Sequence, residues 1–277
     1  MSEGIFDGVI PIRFSREAAR NPLLIPTEMR GHEAVRICFF CKMRVAAIIA
    51  TVGVTLGLGL GFWLPLPKIA GLGMTDRNIF FHVPMWFTMY VLMGISLWWS
   101  GHYLMKGDME SDRRAREAAV VAVFFGVLGL LTGILWSRVT WAEALPDSDW
   151  QAWWGWDPKQ TFALIALLVY GAYFFLRQGI RDVRLKAQLS AAYNVMAAIL
   201  VWPLTFLLPR YLGGLHPGSE GTPAFRSEDI SPLHRIVFYI SVVGFIALGV
   251  WLWMLRVRLS RLEERATIGR DLPAEAA

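Results

Sequence analysis

The chain has 277 residues, of which 55% are hydrophobic, 13% aromatic and 18% charged. This balance excludes a disordered chain, and the gathering of apolar residues into long uncharged blocks excludes most soluble folds. The net charge of +5 is typical both of nucleic-acid-binding proteins and of membrane proteins whose basic residues lie on one side. The distribution of charge must therefore separate these two classes.

Six apolar blocks are long enough to cross the hydrocarbon core of a membrane, which requires about 20 mostly apolar residues. The fourth block reaches that length only if it begins near Pro158. The sequence therefore predicts an all-α integral membrane protein, built as a six-transmembrane-helix bundle. The predicted spans are residues 45–64, 79–99, 118–136, 162–176, 189–208 and 236–255.

Basic residues are divided unequally between the two sides of this predicted bundle. Of the 27 Lys and Arg residues, 20 lie in the tails and loops on the side of the termini, and 7 lie in the three loops on the other side. Because loops rich in Lys and Arg stay in the cytoplasm, both termini are expected to be cytoplasmic. Short basic runs such as 113–116 have no aromatic residues between them, which argues against nucleic acid as a partner.

The chain is therefore expected to have three parts. The polar segment 1–43 lacks the apolar core and cleavage site of a signal peptide and is interpreted as a cytoplasmic N-terminal tail. Residues 44–255 form the membrane domain, and residues 256–277 form a cytoplasmic C-terminal tail.

Cys38 and Cys41 form an isolated CxxC pattern in the N-terminal tail. Covalent attachment of a c-type haem would need a histidine directly after Cys41, where Lys42 stands. A zinc site would need further ligands. We interpret the pair as structural or incidental thiols in a reducing compartment.

Tryptophan is concentrated around one predicted outer loop, at about residues 137–158. Six of the 13 tryptophans lie between residues 136 and 156: Trp136, Trp141, Trp150, Trp153, Trp154 and Trp156. Anchoring at the membrane interface is one interpretation, since tryptophan favours that region. The other is a ligand platform. A short helix over residues 150–156 would place Trp150, Trp153 and Trp154 on one face, with Trp156 at its margin, and such a surface suits a large planar apolar ligand.

The residues that follow have the pattern of a helix start. Asp157 stands at the N-cap, Pro158 at the first helical position, and Gln160 at the position that completes a capping box. We expect Asp157 to fix where the outer loop ends and the fourth span begins. A role for Asp157 in ligand binding is the alternative.

Two histidines on the outer side flank the tryptophan-rich loop. His82 lies near the outer end of the second span, and His216 lies in a glycine-rich loop after the fifth. Two neutral imidazoles from different loops can supply both axial ligands of a haem iron. His234, at the start of the sixth span, is expected to form helix-end hydrogen bonds and is the reserve ligand. The candidate cationic partners for haem propionates are Arg77, Arg138 and Arg210.

Residues 150–161 resemble the tryptophan-rich "WWD" signature of the haem-handling membrane proteins of cytochrome c maturation. The signature is usually written WGxxWxWDxxxT, and this chain departs from it at Gln151. The six spans, the His82-Val83-Pro84 segment and His216 after the fifth span most resemble the haem-delivery branch, the CcmC family. The resemblance covers about residues 44–255.

This resemblance implies a haem-binding protein of the bacterial inner membrane. His82 and His216 would be the axial iron ligands of a noncovalently bound haem b. The tryptophan-rich loop would present haem on the periplasmic side to a periplasmic haem chaperone, beside an ABC-type membrane complex. The implied cofactor-binding residues outside the iron ligands are Trp141, Trp150, Trp153, Trp154, Trp156, Asp157, Arg77, Arg138 and Arg210.

Two other functions remain open from the sequence. The Asp157–Thr161 end of the signature is closer to the cytochrome c synthetases of the CcsA type, which attach haem covalently to apocytochrome. Those proteins usually carry more spans and further histidines within the membrane, so the delivery branch is preferred, and no catalytic residue is expected. A haem transporter channel is the third function, although the predicted spans contain few polar residues to line one.

Overall fold

The computed structural model describes residues 27–65, 73–141, 153–217 and 230–271, and the side chains of residues 41–65, 75–141, 153–217 and 230–267. Within these ranges the chain is helical and contains no strand. The elements in chain order are α1 (Thr27–Trp63), a 3₁₀ helix (Gly73–Phe80), α2 (His82–Lys106), α3 (Met109–Thr140), α4 (Pro158–Gly179), α5 (Val183–Phe206), α6 (Leu208–Leu212) and α7 (Pro232–Asp271).

Six stretches of the described chain are long and apolar enough to cross a membrane, which confirms the predicted six-span all-α architecture. α4 begins at Pro158, as its predicted N-cap requires. Other helices run past the predicted spans, since hydropathy marks only the apolar part of a helix; α3, for example, begins at Met109 rather than at residue 118. The six stretches are Cys41–Trp63, Thr75–Lys106, Met109–Thr140, Pro158–Gly179, Val183–Leu212 and Pro232–Thr267.

The chain divides into two compact units, Met1–Arg44 and Val45–Ala277. In the first unit, residues 27–44 are helical, as the first part of α1. Cys41 is an exposed free thiol, and the side chain of Cys38 lies outside the described residues.

The second unit is organised around α2, which packs against α3, α5 and α7. Close packing between helices in a membrane depends on small residues. A side chain at Gly57 of α1 would lie 2.6 Å from the Ser241 Cα of α7, so these helices touch along their backbones. The largest fully buried members of the main core are Met89, Leu92, Met93, Phe125, Tyr170, Tyr173 and Val201.

A buried polar cluster ties three of these helices together. The Asn194 side-chain amide donates to the hydroxyls of Ser96 at 2.7 Å and of Ser100 at 2.8 Å. The Ser96 hydroxyl donates to the Ala115 carbonyl at 2.8 Å. Hydrogen bonds between helices fix their register in an apolar environment, so α2, α3 and α5 form one rigid frame that carries the site.

Candidate functional site

The structure brings His82 and His216 together at one end of the bundle. His82 is the first residue of α2, and His216 lies in the segment 213–217 that follows α6. Their ring centroids are 6.3 Å apart, with 39° between the ring planes. Two imidazoles that bind one metal ion at about 2 Å each have ring centres about 6 Å apart. The residue types and the separation of the ring centroids therefore fit an iron ion held between these rings.

Neighbours on α3 fix the orientation of the His82 ring. The Thr132 hydroxyl donates to the Leu128 carbonyl at 2.9 Å, and its oxygen lies 3.0 Å from His82 Nδ1. A hydroxyl that donates to α3 can accept from Nδ1–H, and this tautomer of His82 leaves Nε2 unprotonated and able to bind a metal. A side chain at Gly133 would lie 2.8 Å from His82 Cε1, so glycine at this position makes room for the ring.

His216 lies among aromatic rings and close to a cation. Its ring centroid is 5.5 Å from that of Trp136 and 6.0 Å from that of Trp141. Burial, together with the positive charge of Lys159 and repulsion from His82, lowers the pKa of His216 well below its ordinary value of 6.5. The neutral imidazole that results at pH 7 is the form that binds a metal.

Asp157 caps α4, as predicted, and also contacts the loop of His216. Its Oδ1 accepts from the backbone N–H groups of Lys159 at 2.9 Å and Gln160 at 3.4 Å. Its Oδ2 accepts from the backbone N–H of Leu215 at 2.9 Å. One buried carboxylate therefore joins the start of α4 to the residue before His216.

The predicted capping-box hydrogen bond between the Gln160 side chain and the backbone of Asp157 is wrong. Gln160 does not turn back to the backbone of Asp157; its amide donates to the Ser137 hydroxyl at 3.1 Å and to the Trp153 carbonyl at 3.4 Å. The Gln160 side chain is buried against the end of α3, and it ties the tryptophan-rich segment to α3 instead of closing the cap.

The short helix predicted to carry the tryptophan platform is also wrong over residues 153–156. Trp153 lies in a turn, and the next four residues have no regular structure. Pro158 disfavours helical backbone at Asp157, and Trp156 has a left-handed φ angle, so no helix runs through these residues into α4. The Trp154 and Trp156 rings stand at 90° to each other, with centroids 6.1 Å apart. Trp150 lies outside the described residues.

Trp156 adopts a backbone conformation that is unusual for a large side chain. Its φ angle is 55°, in the left-handed region that bulky residues rarely occupy. Its side chain is 68% exposed, and that of Trp153 is 42% exposed. This strained residue stands directly before the Asp157 cap of α4, and such strain is characteristic of functional sites.

The three candidate arginines have different surroundings. Arg77 donates to the carbonyls of Gly61 and, at 3.1 Å, Leu64, so its guanidinium closes the end of α1. Arg138 lies over the Trp153 ring at 5.8 Å from its centroid. Arg210 is exposed on α6, close enough to Lys159 to repel its charge.

His234 forms the helix-end contacts predicted for it. Its Nδ1 lies 2.9 Å from the Ser231 hydroxyl, and its backbone N–H donates to the same oxygen at 3.3 Å. The ring stacks on Phe80 at a centroid distance of 6.0 Å and lies near the Asp76 carboxylate. These contacts give His234 the helix-end position predicted from the sequence, against Phe80 and Asp76.

Three residues of the site were not distinguished by the sequence analysis: Trp86, Lys159 and Thr132. Trp86 meets the His82 ring edge-on at 6.3 Å, and its position four residues after His82 on α2 is a signal that could have identified it. Lys159 donates to the Pro217 carbonyl at 2.7 Å. Thr132 carries no local signal, since its role arises from packing between distant parts of the chain. Trp136 was named with the tryptophan cluster, but its contact with His216 was not predicted.

Comparison with known proteins assigns most of this chain to one family. The family model described as "Heme exporter protein C" matches residues 32–270. The chain is 29% identical to heme exporter protein C of Rhodobacter capsulatus over 236 residues, which cover 79% of this chain and 89% of the relative. It is 26% identical to heme exporter protein C of Paracoccus denitrificans, over 72% of this chain and 79% of the relative. It is 27% identical to heme exporter protein C of Escherichia coli K12, over 76% of this chain and 80% of the relative. This chain therefore belongs to the heme exporter protein C family, CcmC, of multi-pass membrane proteins that handle haem in cytochrome c maturation.

Proposed function

We propose that this protein binds haem noncovalently between His82 and His216 and passes it to a periplasmic haem chaperone. The observation that carries the proposal is the approach of the two imidazole rings to 6.3 Å beside a tryptophan-rich surface. Family membership supports haem as the cargo. The partners expected from the family resemblance are the chaperone and an ABC-type membrane complex.

The residues of the site bind and orient the haem; none is required to act as an acid, base or nucleophile. His82 and His216 hold the iron, whose oxidation state sets the strength of axial ligation. The exposed rings of Trp153 and Trp156 offer surfaces on which the porphyrin stacks. Arg210 offers an exposed guanidinium to a propionate. Transfer then exchanges ligands and breaks no covalent bond.

The excess of Lys and Arg on the side of the termini supports a periplasmic location for this site in a bacterial inner membrane. A direct test is labelling of Tyr211→Cys, since this side chain beside the site is 84% exposed. A membrane-impermeant maleimide should label it in intact spheroplasts. The native Cys41 thiol is the internal control and should react only after permeabilisation. The reverse pattern would place the site in the cytoplasm.

Haem transfer is tested with the haem-loaded protein in detergent. Addition of a periplasmic haem chaperone in its apo form should deplete the haem of this protein and load the acceptor. Trp156→Ala should slow the transfer, whereas Trp63→Ala, which removes an 89% exposed tryptophan at the end of α1, should not. If both variants behave alike, the tryptophan-rich segment is only a membrane anchor.

Two further arms of this experiment separate delivery from the other functions. If the loaded protein forms covalent cytochrome from apocytochrome c without any chaperone, it is a synthetase, and the delivery proposal fails. If haem enclosed in proteoliposomes crosses the bilayer through the protein without an acceptor, it is a transporter.

A further inference from the structure

The backbone on either side of His216 is fastened to the first turn of α4. On one side, the Leu215 N–H donates to Asp157 Oδ2 at 2.9 Å. On the other, the Pro217 carbonyl accepts from Lys159 Nζ at 2.7 Å. Asp157 is only 5% exposed, so its hydrogen bond to the loop is shielded from water. Charge-assisted hydrogen bonds of this kind are about twice as strong as neutral ones.

Glycine residues before His216 permit this close approach. Gly213 and Gly214 have φ angles of 69° and 144°, both in the region that L side chains rarely adopt. A side chain at Gly214 would overlap Asp157 Oδ2 and lie 3.1 Å from Pro158 Cδ. The chain therefore reaches the carboxylate only because position 214 has no side chain.

From this geometry we infer that Asp157 and Lys159 are positioning residues, which hold His216 opposite His82 without themselves touching haem. The inference rests on the proposed haem ligation by His216. In this inference the Asp157 carboxylate fixes the backbone that carries the ligand His216. Residues that orient a metal ligand typically contribute about 10–100-fold to metal affinity, and that is the loss expected when Asp157 is removed.

Asp182 provides a capping control at the opposite end of the bundle. It is exposed and accepts from the Leu185 N–H at 2.7 Å as the N-cap of α5, whereas Asp157 is buried. Gly214→Ala is the complementary variant, because it disturbs the approach of the loop and leaves the Asp157 cap in place. A change shared by Asp157→Ala and Gly214→Ala and absent from Asp182→Ala therefore reports on the fastening of His216 and not on capping.

The experiment is a haem titration of the detergent-purified protein with oxidised and reduced absorption spectra. Asp157→Ala should weaken haem binding about 10–100-fold and lose low-spin character, and added imidazole should restore the low-spin spectrum, as it should in His216→Ala. Asp182→Ala should resemble wild type. Gly214→Ala should resemble Asp157→Ala, and Lys159→Met should show a smaller change in the same direction.

Hydrogen–deuterium exchange of the haem-free protein gives a second measurement. The Leu215 amide should exchange faster in Asp157→Ala than in wild type or Asp182→Ala. If wild type binds haem with a bis-histidine spectrum and Asp157→Ala and Gly214→Ala keep both the spectrum and the affinity, the positioning role is overturned and the proposed function survives. If wild type binds no haem, both are overturned.

Discussion

The two ends of the bundle are held together by different chemistry. At the end opposite the histidine pair, α3 is joined to α4 and α7 by ion pairs. Arg177 binds both oxygens of Asp112 at 2.7 Å, Glu117 pairs with Arg256 at 2.9 Å, and Glu110 pairs with Arg261. At the site end, the contacts that hold the two histidines are single hydrogen bonds and aromatic packing.

This difference indicates that the two ends of the helices have different roles. Ion pairs between α3, α4 and α7 fix the frame at one end. The other end can exchange ligands and rearrange exposed indole rings without breaking that frame. Ligand-binding segments are generally drawn from the less stable parts of a protein, and the tryptophan-rich segment and the loop of His216 follow that pattern. Substitutions at the ion-paired end should therefore change the free energy of unfolding, whereas substitutions at the site end should change haem binding.

The largest effect is expected from the buried pair of Asp112 and Arg177. Asp112→Ala leaves an uncompensated guanidinium among buried groups and should lower the free energy of unfolding by about 3–5 kcal/mol. The haem spectrum of the folded fraction should not change. The double variant Asp112→Leu/Arg177→Met should recover much of the lost stability in a detergent unfolding assay. A changed spectrum in the folded single variant would show that the ends are coupled.

A smaller effect, on affinity, is expected at the site end. Thr132→Val removes the oxygen that accepts from His82 Nδ1–H and should weaken haem binding about 10–100-fold, with little change in unfolding temperature. Thr132→Ser keeps the oxygen and should bind haem as wild type does. Equal haem affinity in the Val and Ser variants, measured by titration, would mean that the His82 ring is held by packing alone.

Backbone strain at Trp156 gives the next prediction. Glycine accepts a φ angle of 55° without strain, whereas alanine does not. Trp156→Gly should therefore be more stable than Trp156→Ala by about 1 kcal/mol, although both lose the exposed ring. Thermal unfolding of the haem-free variants makes the comparison. If the Ala variant is as stable as the Gly variant, the segment relaxes, and the strain does not contribute to holding the indole rings.

The last prediction concerns pH. The pKa of His216 is lowered in the folded protein by burial, by Lys159 and by His82, so the unfolded chain binds more protons below its ordinary pKa of 6.5. Stability should consequently fall as the pH drops below that value. Melting temperatures over about pH 5 to 7.5 should show this slope in wild type and a shallower one in His216→Phe. Parallel slopes would contradict a buried neutral His216.

Local features of the fold followed from the sequence. Six apolar blocks determine six helices because a membrane span must satisfy its backbone hydrogen bonds internally. The cap at Asp157 was predictable because it depends on residues adjacent in sequence. The second contact of the same carboxylate, with Leu215, was not predictable, since it depends on how the segment after α6 returns to the start of α4.

The site itself was predicted only in part. His82 and His216 were identified by residue type and by side of the membrane, but their approach depends on glycine at positions 133 and 214, which no periodic pattern indicates. The helix expected over residues 150–156 is wrong for residues 153–156, where the backbone includes the strained φ angle at Trp156. Arg77 was proposed to bind a propionate, yet its guanidinium contacts the end of α1, a contact between segments that pattern analysis does not detect.

The absorption spectrum of the detergent-purified protein shows whether His82 and His216 together hold a haem iron. Oxidised and reduced spectra should be recorded for wild type, His82→Ala and His216→Ala. We expect a low-spin, noncovalent bis-histidine haem spectrum in wild type that each substitution perturbs. Haem ligation by this pair is ruled out if wild type carries no haem and takes none up, or if the spectra of the variants match that of wild type.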